Sequence, residues 1–355
     1  GLTPPDPVML QSRLRALVGE GVKACAIEAS SIGIVEGRLN ATRVRVAVFT
    51  NFTQDHLDYH GSMADYWEAK SRLFHWAGLT HAVVNLDDEQ GVALDQALAS
   101  RPALVRWSVG IERPARLTAH DLRYTDRGMR FAVVEHDARG VEVARGELAL
   151  DLIGRYNVSN LLCVIASARA LGVSLADALQ ACAALTPVPG RMEQVDAAAG
   201  QPLVLVDYAH TPDALEKALQ ALKPVAQQRG GRLWCVIGCG GDRDPGKRPL
   251  MAAVAEREAQ NTVLTSDNPR SEDPLAILAQ MRAGLVRPDA AVIEPDRARA
   301  ITQAVQMAGP LDVVLVAGKG HEDYQEILGV KRPFSDVTQA REALQLRATP
   351  SGGRA

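Results

Sequence analysis

Short apolar runs alternate with amphipathic stretches along the chain, and the apolar runs share one habit: each ends abruptly in polar residues. Beyond residue 190, Leu203–Val206 gives way to Asp207-Tyr208-Ala209-His210, and Leu233–Ile237 to Gly238-Cys239-Gly240-Gly241-Asp242-Arg243. Thr262–Ser266 gives way to Asp267-Asn268-Pro269-Arg270, and Val313–Val316 to Ala317-Gly318-Lys319-Gly320-His321-Glu322. Strands alternating regularly with helices predict a parallel sheet. Ligands of open α/β sheets sit outside the carboxyl ends of the strands, where these polar groups lie.

The first half is less regular. Asp6-Pro7 predicts a helix to about Val18, with Asp as N-cap, Pro at the first position and Gly19 beyond the end. Ala24–Ile27 predicts a buried strand ending in Glu28-Ala29-Ser30-Ser31. Val44–Phe49 predicts another, ending in Thr50-Asn51 and leading to Asp55-His56-Leu57-Asp58-Tyr59-His60-Gly61. Ser62, with Asp65, caps a helix whose apolar stripe is Met63, Tyr66, Trp67, Leu73, Phe74 and Ala77. Lys70 falls in the middle of that stripe. It is either a stem covering core with its ammonium in water, or a half-buried amine of depressed pKa and raised reactivity. Ala82–Asn85 predicts a third strand. From Leu117 to Leu152 strict alternation around Ala138-Arg139-Gly140 predicts a hairpin or small antiparallel sheet. Gly154–Asn160 opens a helix, and Leu175–Leu185 forms another. Pro187, Pro189 and Gly190 mark a boundary, giving domains at 1–187 and 188–347 and a flexible tail or linker at 348–355.

Composition narrows the classes. A length of 355 residues favours two domains, and a net charge of −3 argues against a general nucleic-acid or membrane surface. No apolar run approaches the ~20 residues of a spanning helix, and the N-terminus does not read as a signal peptide. Cys25, Cys163, Cys182, Cys235 and Cys239 lie mostly in apolar runs and read as reduced, buried thiols of a cytoplasmic protein. Cys235 and Cys239 have neither a second pair nor a nearby His, which argues against zinc.

Asp267-Asn268-Pro269-Arg270 offers acceptor, amide and bidentate donor at a strand end, a set suited to a zwitterion such as an amino acid; the plainer alternative is a polar loop with a solvated Arg. Gly241–Lys247 fits GxxxxGK, but Arg248 replaces the Ser or Thr that would hold magnesium, and Pro245 removes an amide; it reads as a decoy. His56 and His60 have the spacing of zinc proteases, but Leu57 follows His56 where Glu is needed. One of the two could hold a harder ion alongside Glu28. Arg243, Arg270, Asp267, Asn268 and Glu322 in one domain, with Glu28, Ser30, His56 and Lys70 in the other, suit an enzyme joining two substrates under metal and nucleotide control.

At these residues the chain resembles the Mur ligases, specifically their diaminopimelate-adding branch. The motifs are EASS at Glu28, TNFTQDHLDYHG from Thr50, Lys70, GRYNVSN from Gly154, GRME from Gly190, DYAHTPDALE from Asp207, GCGGDRDPGKRP from Gly238, DNPR at Asp267 and AGKGHEDYQ from Ala317. They run through nearly the whole chain in family order. The resemblance implies an α/β fold: a central ATPase-type domain with a mixed sheet plus a small antiparallel sheet, then a Rossmann-like C-terminal domain presenting an amino acid. It implies ATP-dependent ligation of meso-diaminopimelate to UDP-muramoyl-alanyl-glutamate through an acyl phosphate, in the bacterial cytoplasm, by a monomer with Mg2+, without nucleic-acid or membrane partners. Glu28 and His56 are implied as metal ligands, with Lys70 carbamylated. Thr3, Ser30, Glu36 and Arg38 are implied as contacts to the UDP-muramoyl-dipeptide, Asn160, Arg191, Asp207 and His210 as nucleotide-side residues, and His210 also as catalytic. Arg243, Asp267, Asn268, Pro269, Arg270, Gly318 and Glu322 are implied for diaminopimelate, with Arg270 pairing with the distal carboxylate that lysine lacks.

Two positions depart from the pattern. Ile32 stands where many members have His, and Glu36 where a Gln often contacts the sugar nucleotide. The family's UDP-binding domain and GTNGKT-type phosphate loop fall outside residues 1–355. The chain therefore reads as the central and C-terminal domains of a longer protein, expected to bind ATP poorly and ligate little by itself; robust turnover by residues 1–355 would overturn this. Two rivals stand beside it: a lysine-adding or folylpolyglutamate-synthase-like ligase, against which the DNPR motif argues, and a non-catalytic scaffold, against which Glu28, His56 and Lys70 argue together.

Overall fold

Side-chain caps start most of the described helices, at Asp6 and Ser62 as the sequence predicts and at Ser30 where it predicts a strand end. In α1 (Pro7–Gly19) the Asp6 carboxylate accepts from the Val8 and Met9 amides. In α2 (Ser31–Val35) the Ser30 hydroxyl accepts from Gly33 N. The computed structural model describes residues 5–125, 128–186 and 188–348, without the side chains of Asp58 and Ala348. These fall into two units, one of residues 1–122, 131–148 and 158–184, the other of 123–130, 149–157 and 185–355.

In the first unit β1 (Val46–Phe49) is followed by the short α3 (Leu57–His60) and by α4 (Met63–Ser71), capped by Ser62 and continued by a 3-10 turn over Arg72–His75. Tyr66, Leu73 and Phe74 of the predicted stripe are buried, whereas Ala77, past the end of the helical turns, is exposed. Next come β2 (His81–Asn85), α5 (Glu89–Leu98), β3 (Val105–Gly110), β4 (Leu117–Tyr124), β5 (Met129–His136) and β6 (Glu142–Leu150). Then follow α6 (Arg155–Ala170) and α7 (Leu175–Ala183), the latter capped by Ser174. The strands form one sheet in the order β1-β2-β3-β4-β5-β6, parallel from β1 through β4. The alternating stretch is thus continuous with the parallel strands, and Asp137 N bonds to Val141 O at the turn between β5 and β6.

One predicted strand is corrected. Ala24–Ile27 is irregular and exposed and pairs with no strand, leaving β1 at the sheet's edge. An apolar run becomes a strand only where a neighbour takes its backbone bonds. Cys25 is consequently exposed, contrary to the expectation of buried thiols, while the other four cysteines are buried.

The second unit contains β7 (Glu193–Val195), β8 (Leu203–Asp207), α8 (Pro212–Arg229), β9 (Leu233–Cys239), α9 (Lys247–Glu258), β10 (Asn261–Ser266), α10 (Pro274–Arg282) and β11 (Val292–Ile293). It continues with α11 (Arg297–Met307), β12 (Val313–Ala317), a hairpin of β13 (Tyr324–Ile327) and β14 (Val330–Pro333), and α12 (Asp336–Ala348). Its sheet runs β11-β10-β9-β12-β8-β7, parallel except for β7 on β8. Leu205, Ile237, Leu264 and Leu315 pack on one face with Leu219, Met251 and Ile277 of α8, α9 and α10. Val206, Val236, Val263 and Val316 pack on the other with Ile301 of α11 and Leu344 of α12. The strand faces alternate, as a doubly wound sheet requires. Helix α12 runs to Ala348, one residue into the stretch that composition assigns to a tail, because its apolar face at Ala340, Ala343 and Leu344 is buried. Among the described residues no helix is long and apolar enough to cross a membrane.

Candidate active site

The acidic turn after β10 is built on backbone strain. Arg270 has φ 52, and its N and O bond to Glu326 O and Leu328 N, which pins the turn to β13. Within it the Asn268 side chain is used from both ends. Its oxygen accepts from Lys319 Nζ and Glu326 N, each at 3.0 Å, and its amide nitrogen donates to Glu322 Oε2 at 2.8 Å. Lys319 also donates to Glu322 Oε2 at 2.9 Å and lies 3.7 Å from Asp267 Oδ1. Burial raises the Glu322 carboxyl, but its bonds with Lys319 and Asn268 outweigh this and hold it below its ordinary value. Asp267 is held above its ordinary value by burial, against the opposing pull of Arg297 and Lys319.

Gly318, with φ 113, is tied to the same group, since a Cβ there would lie 3.0 Å from Asp267 Oδ2. Arg270 gives Nη1–H to Gly241 O at 2.7 Å and has Nε 3.9 Å from Glu326. Pro269 is buried and Arg243 is exposed. Asp267, Asn268, Pro269, Arg270, Gly318 and Glu322 therefore converge. Lys319 is the residue that sequence reasoning missed: it is fully buried and holds the cluster together. Its signal was a lysine between two glycines directly after a strand.

The neighbouring strand end belongs to Asp207. Its carboxylate accepts from Met192 N at 2.8 Å and Ala209 N at 2.9 Å, and burial raises it above its ordinary value. The Arg191 guanidinium lies 5.0 Å from the Tyr208 ring, which also contacts the His210 and His321 rings. His210 Nδ1 is 2.9 Å from Tyr208 O. A carbonyl only accepts, so Nδ1 carries the proton and Nε2 the lone pair. Gly190 closes against this loop so tightly that a Cβ would lie 2.0 Å from His321 N. In the GxxxxGK stretch, Gly241 N, Asp242 N and Gly246 N go to Asn268 O, Glu272 and Asp244, and Arg248 is buried on Glu272. Three of the amides that a phosphate cradle would offer are thus used internally.

In the first unit the Tyr66 ring is the hub. Lys70 Nζ lies 5.0 Å from its centroid, His60 stacks on it at 5.2 Å and His56 meets it edge-on at 5.9 Å. Burial lowers the Lys70 pKa, against opposing pulls from Asp55 first and Glu28 second. Asp55, which sequence reasoning gave no role, therefore acts on Lys70 more strongly than Glu28 does; it also sits 3.7 Å from His56 Nε2. His56 adopts the left-handed region at φ 53. Among the described residues no group of three His, Cys, Asp or Glu forms a ready cation site. A carbamate on Lys70 would add an anion beside Asp55 and Glu28, and such a set fits a hard divalent cation.

The remaining expected residues lie elsewhere in the units. Ser30 caps α2, buried Arg38 pairs with Glu36, and Asn160 is exposed on α6. Thr3 lies outside the described residues.

Residues 1–168 match the Mur ligase middle domain and residues 190–320 the Mur ligase glutamate ligase domain. The UDP-N-acetylmuramoyl-L-alanyl-D-glutamate--2,6-diaminopimelate ligase of Acidovorax sp. (strain JS42) is 60% identical over 347 residues, covering 98% of this chain and 68% of its own length. The protein of the same name from Janthinobacterium sp. (strain Marseille) is 50% identical over 354 residues, with 98% and 68% covered. A solved structure of an enzyme of that name has a TM-score of 0.66 at 38% identity, covering 98% of this chain and 70% of its own. Folylpolyglutamate synthase of Mycobacterium tuberculosis, complexed with ADP and AMPPCP, shares the fold at a TM-score of 0.59 and 22% identity, with 87% and 65% covered.

Proposed function

The chain belongs to the Mur ligase family, and from that premise we propose how its two units divide one reaction. The reaction is the ATP-dependent ligation of 2,6-diaminopimelate to UDP-N-acetylmuramoyl-L-alanyl-D-glutamate, a step of peptidoglycan precursor synthesis. A carboxylate is a poor acyl donor. The D-glutamyl side-chain oxygen attacks the γ-phosphorus of ATP, ADP leaves, and an amine of diaminopimelate attacks the acyl carbon as phosphate leaves and the amine loses a proton.

The second unit presents the amino acid. Glu322, held ionised by Lys319 and Asn268, accepts from the substrate ammonium. The Arg270 fork pairs with a carboxylate of the distal centre, which lysine lacks. The observation that supports this assignment is the turn itself: Arg270, strained at φ 52 and pinned by its backbone to Glu326 and Leu328, stands at the edge of the Asn268–Glu322 cluster. Gly318 allows close approach, and exposed Arg243 offers a further carboxylate contact. Arg191 and His210 stand on the nucleotide side with Asp207 ordering their loop, and His210 Nε2 is free to take a proton or hydrogen bond. In the first unit Asn160 serves the nucleotide, and Ser30, Arg38 and Glu36 the UDP-muramoyl-dipeptide.

Lys70, Glu28 and His56 would hold Mg2+, with Lys70 as its carbamate and Asp55 alongside. When bound, the ion offsets the charge of the two anions brought together. Burial keeps the Lys70 amine more readily neutral, the form that adds carbon dioxide. With ATP as co-substrate, the cytoplasm is the compartment we propose for this work.

The test is phosphate release from ATP with UDP-muramoyl-alanyl-glutamate present, comparing diaminopimelate with lysine. It is run on residues 1–355 and on the chain extended N-terminally to the length of its relatives. Release by the extended chain with diaminopimelate alone is expected. Equal use of lysine would remove the role of Arg270, and release with neither amine would remove the reaction.

A further inference from the structure

Behind the amino-acid turn lies an ion pair that the reaction does not touch. Arg297 and Asp336 are the first residues of α11 and α12, and both side chains are fully buried. Nε and Nη2 of Arg297 grip the two carboxylate oxygens at 2.7 and 2.6 Å. The same guanidinium reaches two backbone carbonyls, Ala317 O from Nη2 at 2.9 Å and Ser266 O from Nη1 at 3.2 Å.

Stability alone does not account for this pair. A buried ion pair is commonly worth no more than well-packed apolar residues of the same volume. An arginine in the first turn of a helix also stands at the wrong end of the helix dipole, whereas Asp336 stands at the favourable end. The two carbonyls explain the choice of residue, since only a guanidinium offers a rigid fork that satisfies four acceptors at once.

The two carbonyls are specific. Ser266 directly precedes Asp267, and Ala317 directly precedes Gly318. β10 and β12 are not neighbours in the sheet: β9 lies between them, and each is bonded to β9. Arg297 ties them directly, at the end from which the two halves of the amino-acid site emerge. The halves are in near contact at Gly318 and Asp267, so a small slip of one strand end against the other would change the site.

We propose that Arg297, oriented by Asp336, is a positioning residue that sets the spacing between the Asp267–Arg270 turn and the Gly318–Glu322 turn, and through it the affinity for diaminopimelate. This rests on the reading of those turns as the amino-acid site. Arg297 also opposes the effect of burial on Asp267, consistent with a guanidinium aimed at the base of the site.

The experiment uses the chain extended N-terminally to the length of its relatives. R297K keeps the charge but cannot span four acceptors. It is expected to raise KM for diaminopimelate on the order of 10- to 100-fold, the scale of a displacement of about 1 Å in a site. Its kcat, and KM for ATP and UDP-muramoyl-dipeptide, should stay within about threefold. A second variant separates positioning from stability: R297M combined with D336L replaces the pair with apolar volume, leaves no buried charge behind and should lose less Tm than R297M alone, which strands Asp336, yet show the same selective rise in KM. Wild-type KM for diaminopimelate in the double variant, or a parallel rise in all three KM values, would overturn the proposal. Were the wild-type enzyme itself indifferent to diaminopimelate, the reading of the site would fail first, a result distinct from either.

Discussion

Two lysines, Lys319 buried in one unit and Lys70 half-buried in the other, each feel two carboxylates, and the structure treats them in opposite ways. Lys319 is fully enclosed, and its ammonium is matched by Asn268, Glu322 and Asp267 within 3.7 Å. Lys70 feels Asp55 and Glu28, but among the described residues no carboxylate comes within 4.0 Å of it, and its nearest recorded partner is a tyrosine face. A matched buried cation is part of a scaffold, because every alternative leaves anions unpaired. An unmatched one has a depressed pKa and a lone pair within reach, which is a reagent. Proximity to acid does not distinguish the two; hydrogen-bond geometry does.

Paired substitutions test this contrast, and they carry the largest expected effects. Lys70→Met removes the amine but suits the apolar stripe of α4. Activity should fall by about 10³-fold or more, while Tm holds or rises. Carbon-13 bicarbonate should give a carbamate signal in the wild type that is absent from this variant. Lys319→Met should do the reverse to the fold, destabilising it by about 3–5 kcal/mol, because Asn268 Oδ1 and Glu322 Oε2 lose a donor and Asp267 a counter-charge. The pH profile gives its signature. Glu322 lies below its ordinary value of 4.5 in the folded chain, so the stability it contributes is present above that pH and is lost as pH falls through the folded value. Without Lys319, burial dominates and the acid-side loss should begin at a higher pH in urea titrations. A stable Lys319→Met, or an unstable Lys70→Met, would dissolve the distinction.

The next effect is confined to the second unit. Arg270→Lys keeps a charge but not a fork, and should lower kcat/KM for diaminopimelate by roughly 10²-fold, the scale of a charged hydrogen bond. Turnover with lysine should be nearly unchanged, so the ratio between the two amines collapses. If both substrates fall together, Arg270 holds the turn, through Gly241 O, rather than reading the ligand.

The same contrast explains what the sequence made legible. In the second unit β8, β9, β10 and β12 are buried apolar runs with a paired strand on each side, so their pattern and their polar ends could be read directly. The convergence of Asp267–Arg270 with Gly318 and Glu322 followed from their strand ends. Lys319 and Arg297 were not legible in this way: Lys319 bonds to Asn268, 51 residues away, and Arg297 to Asp336, 39 residues away. A lysine at a strand end and an Asp at a helix start have ordinary local explanations. Asp55 escaped for a related reason, since its effect on Lys70 is electrostatic and leaves no mark on periodicity.

The smallest effect concerns the one place where an apolar run misled. Ala24-Cys25-Ala26-Ile27 has strand composition, yet it is exposed and belongs to no sheet. Cys163, Cys182, Cys235 and Cys239 are buried in α6, α7 and β9, and burial pushes the thiols of Cys163, Cys235 and Cys239 up to about 12. A neutral, enclosed thiol does not alkylate, since the thiolate is the nucleophile and the reagent must reach it. Native residues 1–355 treated with a maleimide should therefore take one equivalent, at Cys25, and five only after unfolding in urea. The consequence for the fold is negligible, but the readout is sharp. Protection of Cys25, with slow amide exchange across Ala24–Ile27, would mean that the run finds a strand partner after all. Rapid labelling would mean that composition alone, without a neighbour to take its backbone bonds, does not make a strand, even directly before Glu28.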